Sequence, residues 1–192
     1  MMLKTPFTPY SEKLLEAAHR RKTKNQSSVV KTTTLHIGNH APDFTLYNTA
    51  NEEITLKDFI EKSNVVLLFF PLAFSEICTN ELCSIRNDMH KYEQLNAIIL
   101  GISVDSMFAL SKFKEEQQLQ FELLSDFNRD VARLYHVLYE DFPLFNMKNV
   151  TKRAAFVIDR KGTIQHMEIL EDPGKIPNFH AIEEALHKCH ND

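Results

Sequence analysis

Two cysteines, Cys78 and Cys83, lie five residues apart in FFPLAFSEICTNELC (residues 69–83), where an apolar run stops at Pro71 and a helical pattern begins. The nucleophile of thiol chemistry is the thiolate, and a helix N-terminus offers it unpaired backbone N–H groups carrying about half a positive charge. Helix-start cysteines can therefore ionise well below the ~8.5 of a free thiol. Ser75, three residues before Cys78, carries a hydroxyl that can donate to the sulfur or to a substrate oxygen. Pro71 stiffens the loop and removes one backbone donor that would need a partner. On these residues alone, a reactive thiol and an inert buried one fit Cys78 equally well.

The surrounding pattern must supply a strand that delivers the loop and a helix that starts at it. VVLLFF (65–70) is continuously apolar, as in a strand covered on both faces. From Cys78 to about residue 95, Leu82, Ile85, Met89 and Tyr92 recur at helical spacing. AIILGISV (97–104) predicts a second buried strand. Ser106 is placed to cap a helix through about residue 116, with Phe108, Leu110 and Phe113 as its apolar contacts. FELLSD (121–126) reads as a third strand and RDVARLYHVL (129–138) as a helix. AAFVID (154–159) and TIQHMEI (163–169) flank a turn with Gly162 at a left-handed position, which predicts an antiparallel hairpin. APDFTL (41–46), EEITL (52–56) and LKDFI (56–60) predict two short strands and a short helix upstream. FHAIEEALHKC (179–189) closes the chain as a helix. Alternating strands and helices followed by a hairpin indicate an α/β fold of three layers around a central mixed β-sheet, parallel in its middle.

Composition narrows the function classes. The chain has 192 residues, 43% hydrophobic and 25% charged, and no apolar run approaches the ~20 residues that span a bilayer. No membrane association is expected. Three cysteines, an odd number, do not suggest a disulfide framework, so a reducing, cytoplasmic setting is the expectation. The net charge of −4 hides an asymmetry: residues 1–34 hold seven Lys/Arg against Glu12 and Glu16, leaving about +5 there and −9 in the remainder. Residues 1–34 read as a basic extension, partly helical from Ser11 or disordered. It is either a solvated tail or a segment that touches an anionic surface. Residues 35–192 read as the folded domain. That domain lacks a basic stripe with interleaved aromatics, GxGxxG and a P-loop, so neither nucleic acid nor nucleotide is an expected partner.

PLAFSEIC (71–78) resembles the P-x-x-x-T/S-x-x-C motif of the peroxiredoxins, the AhpC/TSA family of thiol peroxidases. IGNHAPDFTL (37–46) and IILGISVDS (98–106) are similar to the family's first strand and to the strand after its catalytic helix. LLSDFNRDVARLYHV (123–137) resembles the SD…VA..YGV segment, with His136 where glycine is usual. KRAAFVID (152–159) is similar to the strand that carries the family's active-site arginine. PLAF itself is similar to E-type alkyl-hydroperoxide reductases, and the C-x4-C spacing to Q-type, bacterioferritin-comigratory members.

The resemblance implies a thioredoxin-like fold and a peroxidase cycle. Cys78 would attack the distal peroxide oxygen and become a sulfenic acid. Arg153 would hold the thiolate and bind the peroxide; without the resemblance, a surface cation at a strand start is the better reading of it. Ser75 and the backbone N–H groups near Ile77 and Cys78 would grip the substrate, with Pro71 shielding the sulfur. Cys83 stands where some Q-type members keep a resolving cysteine. A disulfide there needs the first helical turns to unwind, because a regular helix separates the two Cα atoms by roughly 8 Å. Its alternative is a small apolar residue on the helix face. Cys189 lacks the Val-Cys-Pro context of C-terminal resolving cysteines, and a one-cysteine cycle also fits. Phe142 and Phe145 either wall the substrate pocket or pack the loop before Arg153. Glu81, in the first helical turn, suits the helix dipole but opposes thiolate formation nearby. The implied partners are a hydroperoxide substrate, a thioredoxin-like or low-molecular-weight thiol reductant, and a second copy in a homodimer. No metal or organic cofactor is implied. A peroxide sensor or redox relay on the same fold is the alternative function.

Overall fold

The computed structural model describes residues 34–191, so the helix expected from Ser11 lies outside the described residues. β1 (Thr45–Asn48) and β2 (Glu53–Thr55) form a hairpin, followed by a 3-10 turn at Leu56–Asp58. β3 (Asn64–Phe69) leads through the Pro71 loop into α1 (Glu76–Asn87) and α2 (Met89–Gln94). β4 (Ala97–Ser103), α3 (Met107–Glu116), β5 (Glu122–Ser125) and α4 (Asp130–Leu134) follow. A separate hairpin, β6 (Leu138–Asp141) with β7 (Lys148–Thr151), precedes β8 (Arg153–Ile158), β9 (Ile164–Leu170) and α5 (Phe179–Asn191).

The main sheet runs β2-β1-β5-β4-β3-β8-β9, with β3, β4 and β5 parallel and the remaining pairings antiparallel. Side-chain parity divides its two faces. Val66 and Leu68 of β3, Ala155 and Val157 of β8, and Leu123 of β5 pack under the helices α1, α2, α3 and α5. Val65, Leu67 and Phe69, with Ala154, Phe156 and Ile158, pack against α4 and the segment around Phe44 and Leu56. The central strands are buried on both faces, which is why their sequences do not alternate. Gly101, midway along β4, makes room for a neighbour: a Cβ there would lie 2.6 Å from Leu123 Cδ2.

Several expectations shift. The first strand starts at Thr45 rather than at residue 41. Pro42 has no N–H to give a ladder, and Asp43 accepts from the Lys57 N–H instead. The long helix breaks at Asp88, so α1 and α2 replace one element. The helix expected over 129–138 covers only Asp130–Leu134; His136, at φ 58°, ends it, and residue 138 already opens a strand. This positive φ also explains why glycine is usual at that position. Ser106 caps α3 as expected, its hydroxyl accepting from Ala109 N–H at 3.3 Å. Phe108, however, is 68% exposed instead of packing the core. The β8–β9 turn has Gly162 at φ 80°, with Asp159 accepting from the N–H groups of Lys161 and Thr163.

Candidate active site

β3 ends in Phe69, and the chain turns through residues 70–75 before α1 starts with Ser75 as its N-cap. The first intrahelical bond runs from Thr79 N–H to the Ser75 carbonyl, so the N–H groups of Glu76, Ile77 and Cys78 precede the ladder. Cys78 is the third helical residue and only 1% exposed. Glu81, Leu82 and Ile85 follow at helical spacing on the same buried stripe.

The loop before the helix is held from outside. Asp105, just past β4, accepts from Ala73 N–H at 2.8 Å and from Ser103 Oγ at 2.9 Å. Burial raises its carboxyl above the usual range, partly offset by those two bonds. Phe74 adopts φ 64°, a costly conformation for a bulky residue, and rests edge-on against Phe113 at 5.0 Å. Pro71 is buried. Ser75 donates its hydroxyl to the Leu72 carbonyl at 2.9 Å, not to Cys78, and provides no side-chain cap to the helix.

Arg153 opens β8. It shares parity with Ala155 and Val157 and so projects toward the face covered by α1. The guanidinium is 1% exposed. Its Nη2 donates to Cys78 Sγ at 3.4 Å and to the Pro173 carbonyl at 3.1 Å, while Nη1 donates to Glu81 Oε2. Burial alone would lower the arginine's proton affinity; Glu81 and Cys78 together more than reverse that. The surface-cation reading of Arg153 is thereby excluded. Glu81 is wholly buried, and burial pushes its carboxyl up to about 7 against the pull of Arg153. Its Oε1 and the Nε of Arg153 are buried without hydrogen-bond partners.

The second cysteine sits differently. Cys83 is half-buried, outside the apolar core that takes its neighbours Leu82 and Ile85, and its thiol donates to Gln117 Oε1 at 3.6 Å. It is therefore not a core-packing residue. No disulfide joins any of the three cysteines. Cys189, 6% exposed, shares a cavity lining with Asp159, Arg160 and Lys161, beyond the end of β8 remote from Arg153. A six-residue strand spans roughly 20 Å, which separates Cys189 from Cys78 within one chain.

Phe142 packs with Tyr139, Val150 and Leu72, so it braces the loop next to Pro71. Phe145 is 81% exposed on the β6–β7 turn and is not part of that wall. Sequence reasoning did not find Asp105 as the loop's anchor, the Pro173 carbonyl as a guanidinium acceptor, or Glu81 as the buried partner of Arg153. Only the position of Glu81, one turn after Cys78, was a usable signal.

A buried thiol at a helix start, held by an arginine from the neighbouring strand, defines a protein that does thiol redox chemistry on an α/β sheet. Residues 37–167 match the sequence pattern of the AhpC/TSA family. The chain is 35% identical over 148 residues to the putative peroxiredoxin bcp of Haemophilus influenzae, covering 77% of this chain and 93% of that protein. Alkyl hydroperoxide reductase E of Mycobacterium tuberculosis is 34% identical over 154 residues, covering 79% and 96%. The crystal structure of peroxidoxin BcpB from Mycobacterium tuberculosis superposes with a TM-score of 0.68 at 27% identity, over 82% of this chain and 97% of that one. The chain also matches 2-Cys peroxiredoxins of plastids, spanning 52–71% of their lengths. The chain thus belongs to the AhpC/TSA family, the peroxiredoxins, which are thiol-dependent peroxidases on a thioredoxin-like fold.

Proposed function

We propose that the chain reduces hydrogen peroxide and organic hydroperoxides through Cys78, and that Cys83 resolves the resulting sulfenic acid. The observation that carries this reading is the 3.4 Å contact between Arg153 Nη2 and Cys78 Sγ, both residues 1% exposed. A fixed guanidinium stabilises the thiolate and then the charge that develops on the leaving oxygen as the O–O bond breaks. The N–H groups at Ile77 and Cys78 and the Ser75 hydroxyl, once it swings from the Leu72 carbonyl, hold the peroxide oxygens. Pro71 and Phe142 keep the loop closed over the sulfur.

Resolution by Cys83 requires the first turns of α1 to unwind, because the helix is regular from Glu76 to Asn87. The half-buried position of Cys83 favours it over Cys189, which is buried at the far end of the sheet. The disulfide is then reduced by a thioredoxin-like or small thiol, in a reducing, cytoplasmic setting that keeps both cysteines as thiols between turnovers. A homodimer is part of the reading, supported by the exposed Phe74, Phe127 and Phe145.

The test is the intact mass of the reduced protein after less than one equivalent of hydrogen peroxide. A product about 2 Da lighter, with Cys78 joined to Cys83 in the peptide map, is expected. A gain of about 16 Da on Cys78, trappable as a sulfenic acid, would replace the two-cysteine cycle with a one-cysteine cycle. An unchanged mass would overturn the peroxidase reading.

A further inference from the structure

Two acids share one cation in this site. Cys78 and Glu81, one helical turn apart, each meet a different nitrogen of the Arg153 guanidinium, and all three residues are at most 1% exposed. With the thiol protonated and Glu81 ionised, the trio is neutral. With both acids ionised it carries a net negative charge away from water, a costly arrangement. A thiolate beside a protonated Glu81 restores neutrality.

Among the described residues, no hydrogen bond or ion pair brings a second cation to this trio, and Lys175 of the 171–175 loop is exposed. On the 171–175 loop, Pro173 contributes only its carbonyl, Glu171 is paired to Lys152, and the Asp172 side chain accepts from Gly174 N–H. From β6, Tyr139 turns its hydroxyl to the carbonyls of Leu170 and Glu171. On α5, Glu183 pairs with Lys91. Glu76, on α1 itself, is exposed. The buried Oε1 of Glu81 has no hydrogen-bond partner, which disfavours a full carboxylate charge there.

We infer that Cys78 and Glu81 share one proton around Arg153, with Glu81 carrying it when Cys78 is the thiolate. Glu81 acts through Arg153 and the shared proton, so it is a positioning residue of the peroxidase reaction proposed above, on which this inference rests. The balance closes: Cys78 thiolate, protonated Glu81 and ROOH become Cys78 sulfenic acid, Glu81 carboxylate and ROH. The O–O bond breaks and an S–O bond forms. The sulfur loses two electrons, which reduce the peroxide, and the proton given up by Glu81 balances the one taken by the leaving oxygen. The neutral sulfenic acid leaves Arg153 to the Glu81 carboxylate alone.

The test needs no peroxide, so it stands or falls apart from the peroxidase reading. The rate of Cys78 alkylation by iodoacetamide is followed by peptide mass from roughly pH 5 to pH 9, in the reduced full-length protein and in Glu81→Gln. Glutamine keeps an oxygen for Arg153 but cannot exchange a proton. The expected wild-type profile has two inflections, because a coupled pair loses its protons in two steps. The Glu81→Gln variant should show one, at lower pH, with alkylation roughly tenfold faster near pH 6. Superimposable profiles would overturn the inference. A purely structural Glu81 would change the unfolding midpoint without changing the number of inflections. Infrared difference spectra of the wild type at about pH 8, where Glu81 beside a neutral Cys78 is mostly ionised, taken before and after alkylation of Cys78, give a reading that needs no variant. Loss of a protonated-carboxyl band supports the shared proton; an unchanged carboxyl region refutes it.

Discussion

The burial of Glu81 should make stability fall as pH rises through neutrality, and Glu81→Gln should remove that dependence. In the folded protein the carboxyl is raised from 4.5 to about 7, chiefly by desolvation. A group whose proton binds more tightly in the folded state contributes its full stability below the unfolded value, near 4.5. It loses that contribution as pH rises toward the folded value, near 7. At about 1.4 kcal/mol per pH unit the total is about 3 kcal/mol, of which about 2.5 kcal/mol falls between pH 5 and pH 8. The comparison is made in a Cys78→Ser background, which removes the thiol's own titration. Urea unfolding at pH 5 and pH 8 gives the free energy for the chain that keeps Glu81 and for the chain that also carries Glu81→Gln. The difference between the two chains should change by about 2–3 kcal/mol between the two pH values, the glutamate chain losing the more. Absolute stabilities do not enter, because the amide's own desolvation and its single bond to Arg153 are independent of pH. Parallel curves for the two chains would refute the reasoning, since they would mean that Glu81 is ionised in the fold as readily as in the unfolded chain.

Arg153→Lys should slow the reaction of the reduced protein with hydrogen peroxide by roughly 10²–10³-fold in competition kinetics. An ammonium cannot span Glu81, Cys78 and the Pro173 carbonyl as the planar fork does. A rate within about tenfold of the wild type would mean that the contact at Cys78 is not used. Asp105→Ala frees the Ala73 N–H and with it the turn that holds Phe74 at positive φ. Its expected outcome is a peroxide rate reduced by about tenfold with the far-ultraviolet circular dichroism unchanged, since a hydrogen bond to a charged group contributes about 1.5–3 kcal/mol. An unaltered rate would show that the loop holds its shape without the anchor.

The order of elements and the place of the nucleophile were legible in the residues themselves. Continuous apolar runs mark β3 and β4 because both faces of those strands are covered, and period-3.6 spacing marks α1 because only one face is. Cys78 stands out as a candidate because a helix N-terminus favours a thiolate, and Gly162 because a tight hairpin needs a positive φ. These are local properties, carried by a few residues in a row.

What only the tertiary structure decided is which distant groups meet. Arg153 lies 75 residues from Cys78, and parity along β8 together with its pairing to β3 brings the guanidinium under α1. Glu81 reads as an ordinary first-turn acid until β8 covers it. Burial then turns a favourable helix-dipole charge into a carboxyl that competes with the thiol for one cation. Asp105 is two residues past a strand, and its role exists only because β3 and β4 are neighbours that deliver their loops to the same edge. The β6–β7 hairpin escaped detection for the same reason: its strands pair with each other and not with the main sheet, so no buried apolar run announces them. The sequence alone determined the fold class and marked one candidate nucleophile, the Cys78 sulfur. Packing determined that atom's electrostatic environment, because desolvation and ion pairing depend on what covers a residue and not on what adjoins it in the chain.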